Sequence, residues 1–120
     1  MKGSSRRPEQ VGETIRQVVA DALTRGELRD PRIGLVTVTR VDVTGDLSHA
    51  YVFVSPQGDE DERARAIEGL ESAAGYLRSL VAKVLTTRSV PELHIELDRG
   101  LEYAQRIEQI LAELRREEQR

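Results

Sequence analysis

The chain has no cysteine and no tryptophan, and its aromatic content is three tyrosines and one phenylalanine in 120 residues. Without cysteine there is no disulfide framework, no thiolate metal site and no thiol nucleophile, which fits a reducing cytoplasm. With so few aromatic rings, the core has to come from Val, Leu, Ile and Ala. No apolar run approaches the ~18 residues that cross a bilayer. The stretch Met1 to Pro8 is polar and basic and lacks the apolar segment of a secretory signal. The phosphate loop G-x-x-x-x-G-K and the nucleophile elbow G-x-S-x-G are both missing. The only histidines, His49 and His94, fall in stretches that read as strands. A lone histidine on a half-buried strand is more often structural or solvent-facing than catalytic. No catalytic residue is assigned, and neither enzymatic activity nor a cofactor is expected.

What is present is enough for one compact domain, with 38% hydrophobic residues in 13.5 kDa. The net charge of −3 by itself argues against nucleic acid, since such domains are usually basic. Its distribution is uneven. Residues 1–40 carry eight basic and five acidic groups, whereas residues 41–75 carry two and eight. Residues 76–99 are slightly basic again.

The periodicity predicts a helix from about Pro8 to Arg25. Pro8 suits the first helical position, Val11, Ile15, Val18, Val19, Ala22 and Leu23 form an apolar stripe, and Gly26 is placed to end it. Asp30-Pro31-Arg32 turns the chain. Ile33 to Val43 reads as a strand whose pairs Val36/Val38 and Val41/Val43 are out of phase, which a bulge near Thr39-Arg40 reconciles. Thr44-Gly45-Asp46 is a turn, and Leu47 to Ser55 completes an antiparallel hairpin. Asp59 with Glu62 reads as a capping box, so the acidic run Asp59 to Glu62 belongs to a helix start more naturally than to a metal cluster. Apolar residues from Ile67 to Val84 recur at 3-4-3-4-3 spacing, interrupted at Ala73-Ala74-Gly75, where two helices are expected to meet at a kink. From Val90-Pro91 a third strand alternates Leu93, Ile95 and Leu97 with the polar Glu92, His94, Glu96 and Asp98. After Gly100 a last helix carries Leu101, Ala104, Ile107, Leu111 and Leu114, and the end beyond Leu114 is expected to fray. The result is an α/β (α+β two-layer) domain with helices on one face of a three-stranded sheet.

Three modes of RNA recognition are open to such a domain. Tyr51 and Phe53 share a strand face that could stack bases, but if that face also carries Glu92, His94, Glu96 and Asp98, phosphates would meet carboxylates. Alternatively, those rings pack on the tail helix or cover a sheet edge. The kink at Ala73-Ala74-Gly75 offers small side chains, a new helix start and the basic residues Arg78, Lys83 and Arg88 nearby. The competing interpretation is helix packing through small residues. Gly75→Leu is expected to straighten the kink or clash with it, and to lower binding more than stability. Basic residues of the first third, including Arg6, Arg7 and Arg32, could add salt-dependent phosphate contacts. Glu92, His94 and Glu96 share a face and include metal-ligating types, but any half-exposed strand has this alternation. No metal site is assigned.

Several stretches occur in a familiar order: Asp30-Pro31-Arg32 before Leu35-Val36-Thr37-Val38-Thr39; Asp46-Leu47-Ser48-His49-Ala50 before Val52-Phe53-Val54-Ser55; Ala73-Ala74-Gly75-Tyr76-Leu77-Arg78; and Val90-Pro91-Glu92-Leu93. In order and spacing, from Arg6-Arg7 to about Leu114, the sequence resembles the ribosome-binding factor A family. The resemblance implies a type II KH fold in which a kinked Ala-x-Gly, here Ala73-Ala74-Gly75, stands where other KH domains have a G-x-x-G clamp. It implies a KH-like RNA-binding domain over residues 1–99 and a C-terminal helical extension of the same domain over 100–120. It also implies a non-enzymatic factor, cytoplasmic and monomeric, that binds the free 30S subunit through 16S rRNA and assists late maturation, rRNA processing and growth in the cold. No membrane and no small-molecule substrate are expected. The RNA-binding residues expected on this basis are Arg6, Arg7, Arg32, Ala73, Ala74, Gly75, Arg78, Lys83 and Arg88. The tail is mixed in charge and departs from the basic tail of some members. The alternative is a protein–protein interaction module acting through the amphipathic helices.

Overall fold

The computed structural model of the chain describes residues 2–86 and 89–119, with side chains described from Arg7 onward. Four helices and three strands follow in the order α1 (Lys2–Thr24), β1 (Val36–Val43), β2 (His49–Pro56), α2 (Glu60–Ser72), α3 (Ala74–Val84), β3 (Glu92–Leu97) and α4 (Arg99–Glu118). The sheet order is β1-β2-β3, with β2 antiparallel to β1 and parallel to β3.

Helix α1 starts well before Pro8, which lies inside the helix and not at its first position. The proline removes one backbone N–H bond near the N-terminal end, and the residues upstream continue the helix past it. At the other end the expected glycine cap is present. Gly26 has φ +69, its N–H donates to the Leu23 carbonyl, and the Glu27 N–H donates to the Ala22 carbonyl. That is a Schellman arrangement.

The bulge also occurs as expected. The β1–β2 register shifts between Val38 and Arg40, so Val36, Val38, Val41 and Val43 all pack toward the helices. The strand itself starts only at Val36, because Ile33 bonds back to the Asp30 carbonyl in the preceding turn.

The core is aliphatic. Val11, Ile15, Val19 and Ala22 of α1 meet Ala50, Val52 and Val54 of β2, Leu70, Leu77 and Val81 of α2 and α3, and Leu93 and Ile95 of β3. Close approach depends on two glycines inside helices. A Cβ on Gly12 would lie 2.9 Å from the Val41 carbonyl oxygen, and one on Gly69 would lie 2.7 Å from Ile33 Cγ1. Gly12 therefore lets α1 settle onto β1, and Gly69 lets the 30–33 turn settle onto α2.

The opposite sheet face is not covered by α1 or α3. Tyr51 and Phe53 lie on it, opposite His94 and Glu96 of β3. Tyr51 stacks on His94, and the Arg40 guanidinium lies 3.9 Å from the centre of the Phe53 ring.

Asp98 departs from the expected polar outer face. It is buried and caps α4, accepting from the Leu101 N–H at 3.1 Å and from Thr39 Oγ1 at 2.5 Å. Helix α4 runs through to Glu118 where fraying is expected, and none of its residues is buried. Arg63 of α2 pairs with Glu102 in its first turns. Farther along, Tyr103, Ile107, Ile110, Leu111 and Leu114 are exposed. Long helices protruding from a small core raise the radius of gyration to 17.1 Å, against roughly 14 Å for a compact chain of this length.

Candidate nucleic-acid interface

The kink forms where sequence pattern places it. Asp59 caps α2 in a reciprocal capping box with Glu62. At the far end, the Ala73 N–H bonds to the carbonyls of Gly69 and Leu70, and Ala73 becomes the N-cap of α3. An alanine has no side-chain acceptor, so no side chain caps α3. Its first-turn N–H groups concentrate the positive end of the helix dipole at Ala74-Gly75. Gly75 is exposed, and a Cβ there would meet nothing within 4 Å. A methyl group at this position therefore meets no clash, because Gly75 faces open space. What its missing side chain leaves is bare backbone toward solvent.

The residues nearest the kink come from the 27–32 loop. Arg32 Nη2 donates to Ser72 Oγ at 3.3 Å, which places its guanidinium beside the end of α2. The same group holds Asp30, with Nε and Nη2 donating to its carboxylate at 3.0 and 2.6 Å. The side-chain bonds from Arg32, aided by its backbone N–H, hold the Asp30 carboxyl at about 2, while desolvation opposes them. Tyr76, one residue past Gly75, donates from its hydroxyl to Glu27 at 3.1 Å, and that bond raises the phenol above its ordinary value. A shallow groove between Glu27, Asp30, Gly69, Ser72, Ala73 and Tyr76 runs along this side of the kink. The site is thus a neutralised rim around an exposed helix start.

Arg29 also lines that groove, but the other described basic residues expected from the sequence do not converge on it. Arg78 is on α3, but its guanidinium turns toward the loop before β3. Nε donates to the Pro91 carbonyl at 3.2 Å and Nη2 to the Val90 carbonyl at 2.7 Å. That arginine positions the α3–β3 connection. Lys83 is exposed in the last turn of α3, about 13–14 Å along the helix from Ala74 at 1.5 Å per residue. Arg7 lines a groove with Val84, Leu85 and Thr86 at the same end. The Arg6 side chain and Arg88 lie outside the described residues. Two groups result, with Ala73, Ala74, Gly75 and Arg32 at the kink and Arg7 and Lys83 at the distal end of α3.

The outer sheet face carries both Tyr51 and Phe53 and the acidic Glu92 and Glu96, which disfavours base stacking there. Among the metal-ligating types on that face, His94 and Glu92 gather with His49 of β2 and not with Glu96. Sequence reasoning also missed Gly69 and the Asp30–Arg32 clamp. A helical glycine two turns before Leu77 was the available signal for the first.

The order α-β-β-α-α-β, the mixed three-stranded sheet and the kink between α2 and α3 define a domain of the type II KH-like class. The family model of ribosome-binding factor A matches residues 7–111. Ribosome-binding factor A of Thermomicrobium roseum is 47% identical over 116 residues, covering 97% of this chain and 89% of that protein. Its namesake in Pelobacter propionicus is also 47% identical, over 97% and 94%. The chain belongs to the ribosome-binding factor A family.

Solved structures agree. The crystal structure of ribosome-binding factor A from Thermus thermophilus is similar at a TM-score of 0.64 and 25% identity, covering 77% of this chain and 97% of that one. A homology model of the Thermus thermophilus factor, as fitted into the cryo-EM map of its 30S complex, is similar at a TM-score of 0.57 and 25% identity, over 78% and 92%.

Proposed function

We propose that the chain is a non-enzymatic assembly factor that binds the free 30S subunit through 16S rRNA and assists late small-subunit maturation and rRNA processing. Family membership carries this reading, together with the relative that is fitted into a 30S complex. The contact is assigned to the kink. An uncapped helix start with bare backbone at Gly75 suits a phosphate oxygen, which accepts from N–H groups and is favoured by the dipole. Arg32, paired with Asp30, flanks it, and Lys83 and Arg7 form a second basic group at the distal end of α3. Arg6 and Arg88 belong to the same proposal by position in sequence. Arg78 serves it indirectly, by holding the loop before β3.

The test is co-sedimentation with free 30S, 70S and mature 16S rRNA at several salt concentrations. Charge reversal of Arg7 and Lys83 is expected to weaken 30S binding, with a shallower salt slope by about 1 for each phosphate that is no longer neutralised. Unchanged co-sedimentation would overturn the assignment of these residues. A second reading draws on the exposed apolar residues of α4, Tyr103, Ile107, Ile110, Leu111 and Leu114, which suit a protein contact. Light scattering showing a stable homodimer without RNA affinity would favour it.

A further inference from the structure

We propose that His49, Glu92 and His94 form a binding site for a single zinc-class divalent ion on the outer face of the sheet. Parallel pairing sets His49 of β2 directly beside Glu92 of β3, and His94 is two residues farther along the same face. Their ligand atoms already converge. His49 Nδ1 lies 2.9 Å from His94 Nε2, Glu92 Oε1 lies 3.5 Å from His49 Nδ1, and the same oxygen lies 3.6 Å from His94 Nε2. Ligands about 2.0–2.1 Å from a tetrahedral ion are roughly 3.3 Å apart, so three corners of such a site are near their places before any ion arrives.

Backbone and packing hold the corners. The Glu92 N–H donates to the Ser48 carbonyl at 2.9 Å, and the His49 N–H donates to Thr44 Oγ1 at 3.1 Å. The Tyr51 ring stacks on the His94 imidazole with centroids 4.9 Å apart and a 20° tilt, which fixes the plane of that ring. The side chains of His49, His94 and Glu92 retain 43%, 32% and 63% exposure, so an ion reaches the site from solvent.

The donor set selects the ion. Two imidazole nitrogens and one carboxylate suit Zn2+ and its transition-metal neighbours, whereas Mg2+ and Ca2+ require oxygen shells. Three protein ligands leave a coordination position toward solvent, which water fills. In the 2.9 Å contact one imidazole nitrogen donates its proton to the other. Both nitrogens must offer lone pairs to an ion, so binding replaces that hydrogen bond and shifts the proton to the second nitrogen of its own ring.

The experiment is a titration of the full chain with ZnCl2, read by equilibrium dialysis with metal analysis and by imidazole 15N shifts. One equivalent of zinc is expected, with the signals of His49 Nδ1 and His94 Nε2 moving together, and a rise in melting temperature. Co2+ in the same site is expected to show the visible bands of four- or five-coordination. The variants His49→Gln, Glu92→Gln and His94→Gln are each expected to lower affinity at least tenfold. Zinc binding of equal strength in the triple variant would identify the ion as adventitious and overturn the site. So would the absence of binding at submillimolar zinc, or unchanged imidazole 15N shifts in the unsubstituted protein, which do not depend on any variant folding.

Discussion

Gly75→Ala separates a recognition role from a packing role at the kink. Gly75 is the second residue of α3, and an added Cβ would meet nothing within 4 Å. Alanine in a helix is favoured over glycine by about 0.8–1.0 kcal/mol, less near the end than in the middle. Stability is therefore expected to hold or to rise by up to about 1 kcal/mol, a melting-temperature gain of at most roughly 3–5 °C. The same methyl group occupies the space through which a phosphate would reach the first-turn N–H groups. Losing one charge-assisted hydrogen bond there removes about 1.5–3 kcal/mol of binding, or roughly 10- to 150-fold in Kd. Urea unfolding and quantitative co-sedimentation with 30S subunits measure the two effects on one preparation. Binding within twofold of the unsubstituted protein would refute backbone approach at Gly75. A fall in stability would instead show that the position is not open.

Asp98→Ala removes the cap of α4 and the acceptor for Thr39, and is expected to destabilise by about 2–3 kcal/mol in urea unfolding. The hydrogen bond from Thr39, then that from the Leu101 N–H, holds the Asp98 carboxyl below its ordinary value, so its contribution is complete above about pH 4 and is lost as pH falls through the lowered value. An acid-unfolding midpoint that does not move in Asp98→Asn would contradict this. Leu70→Ala, at a fully buried position, is expected to lose about 2–5 kcal/mol by denaturant titration. Truncation after Arg106 removes, among the described residues, only exposed or half-buried side chains and is expected to leave the urea midpoint nearly unchanged, whereas a large loss would mean that α4 packs on the core.

Much of this fold is legible without coordinates, because its signals are short-range. The Gly26 stop, the Thr39-Arg40 bulge, the Asp59–Glu62 capping box and the break at Ala73-Ala74-Gly75 each depend on residues within a turn or two of one another. Capping chemistry and the two apolar periods act over that distance. The extent of α1 past Pro8 is different. A proline marks a favourable first position, but it does not forbid a helix from continuing upstream.

The candidate site was legible in part for the same reason. Ala73 to Gly75 can be placed from sequence, while the partners of the charged residues cannot. Arg78 looks like a free cation until α3 packs beside the loop before β3 and two carbonyls take its guanidinium. Asp98 continues a polar alternation until the bulged Thr39 covers it. Gly69 and Gly12 acquire meaning only when another segment arrives against the bare backbone. The absence of cysteine excluded thiolate metal sites from the outset. Yet the register that sets His49 beside Glu92 and His94 joins residues more than forty positions apart. The sequence by itself determined which elements form, where they stop and that the core is aliphatic, because those depend on neighbours along the chain. Only the tertiary structure decided which charges are paired, which glycine is packed and which is open, and which ligating atoms meet, because those depend on register and close approach between distant segments.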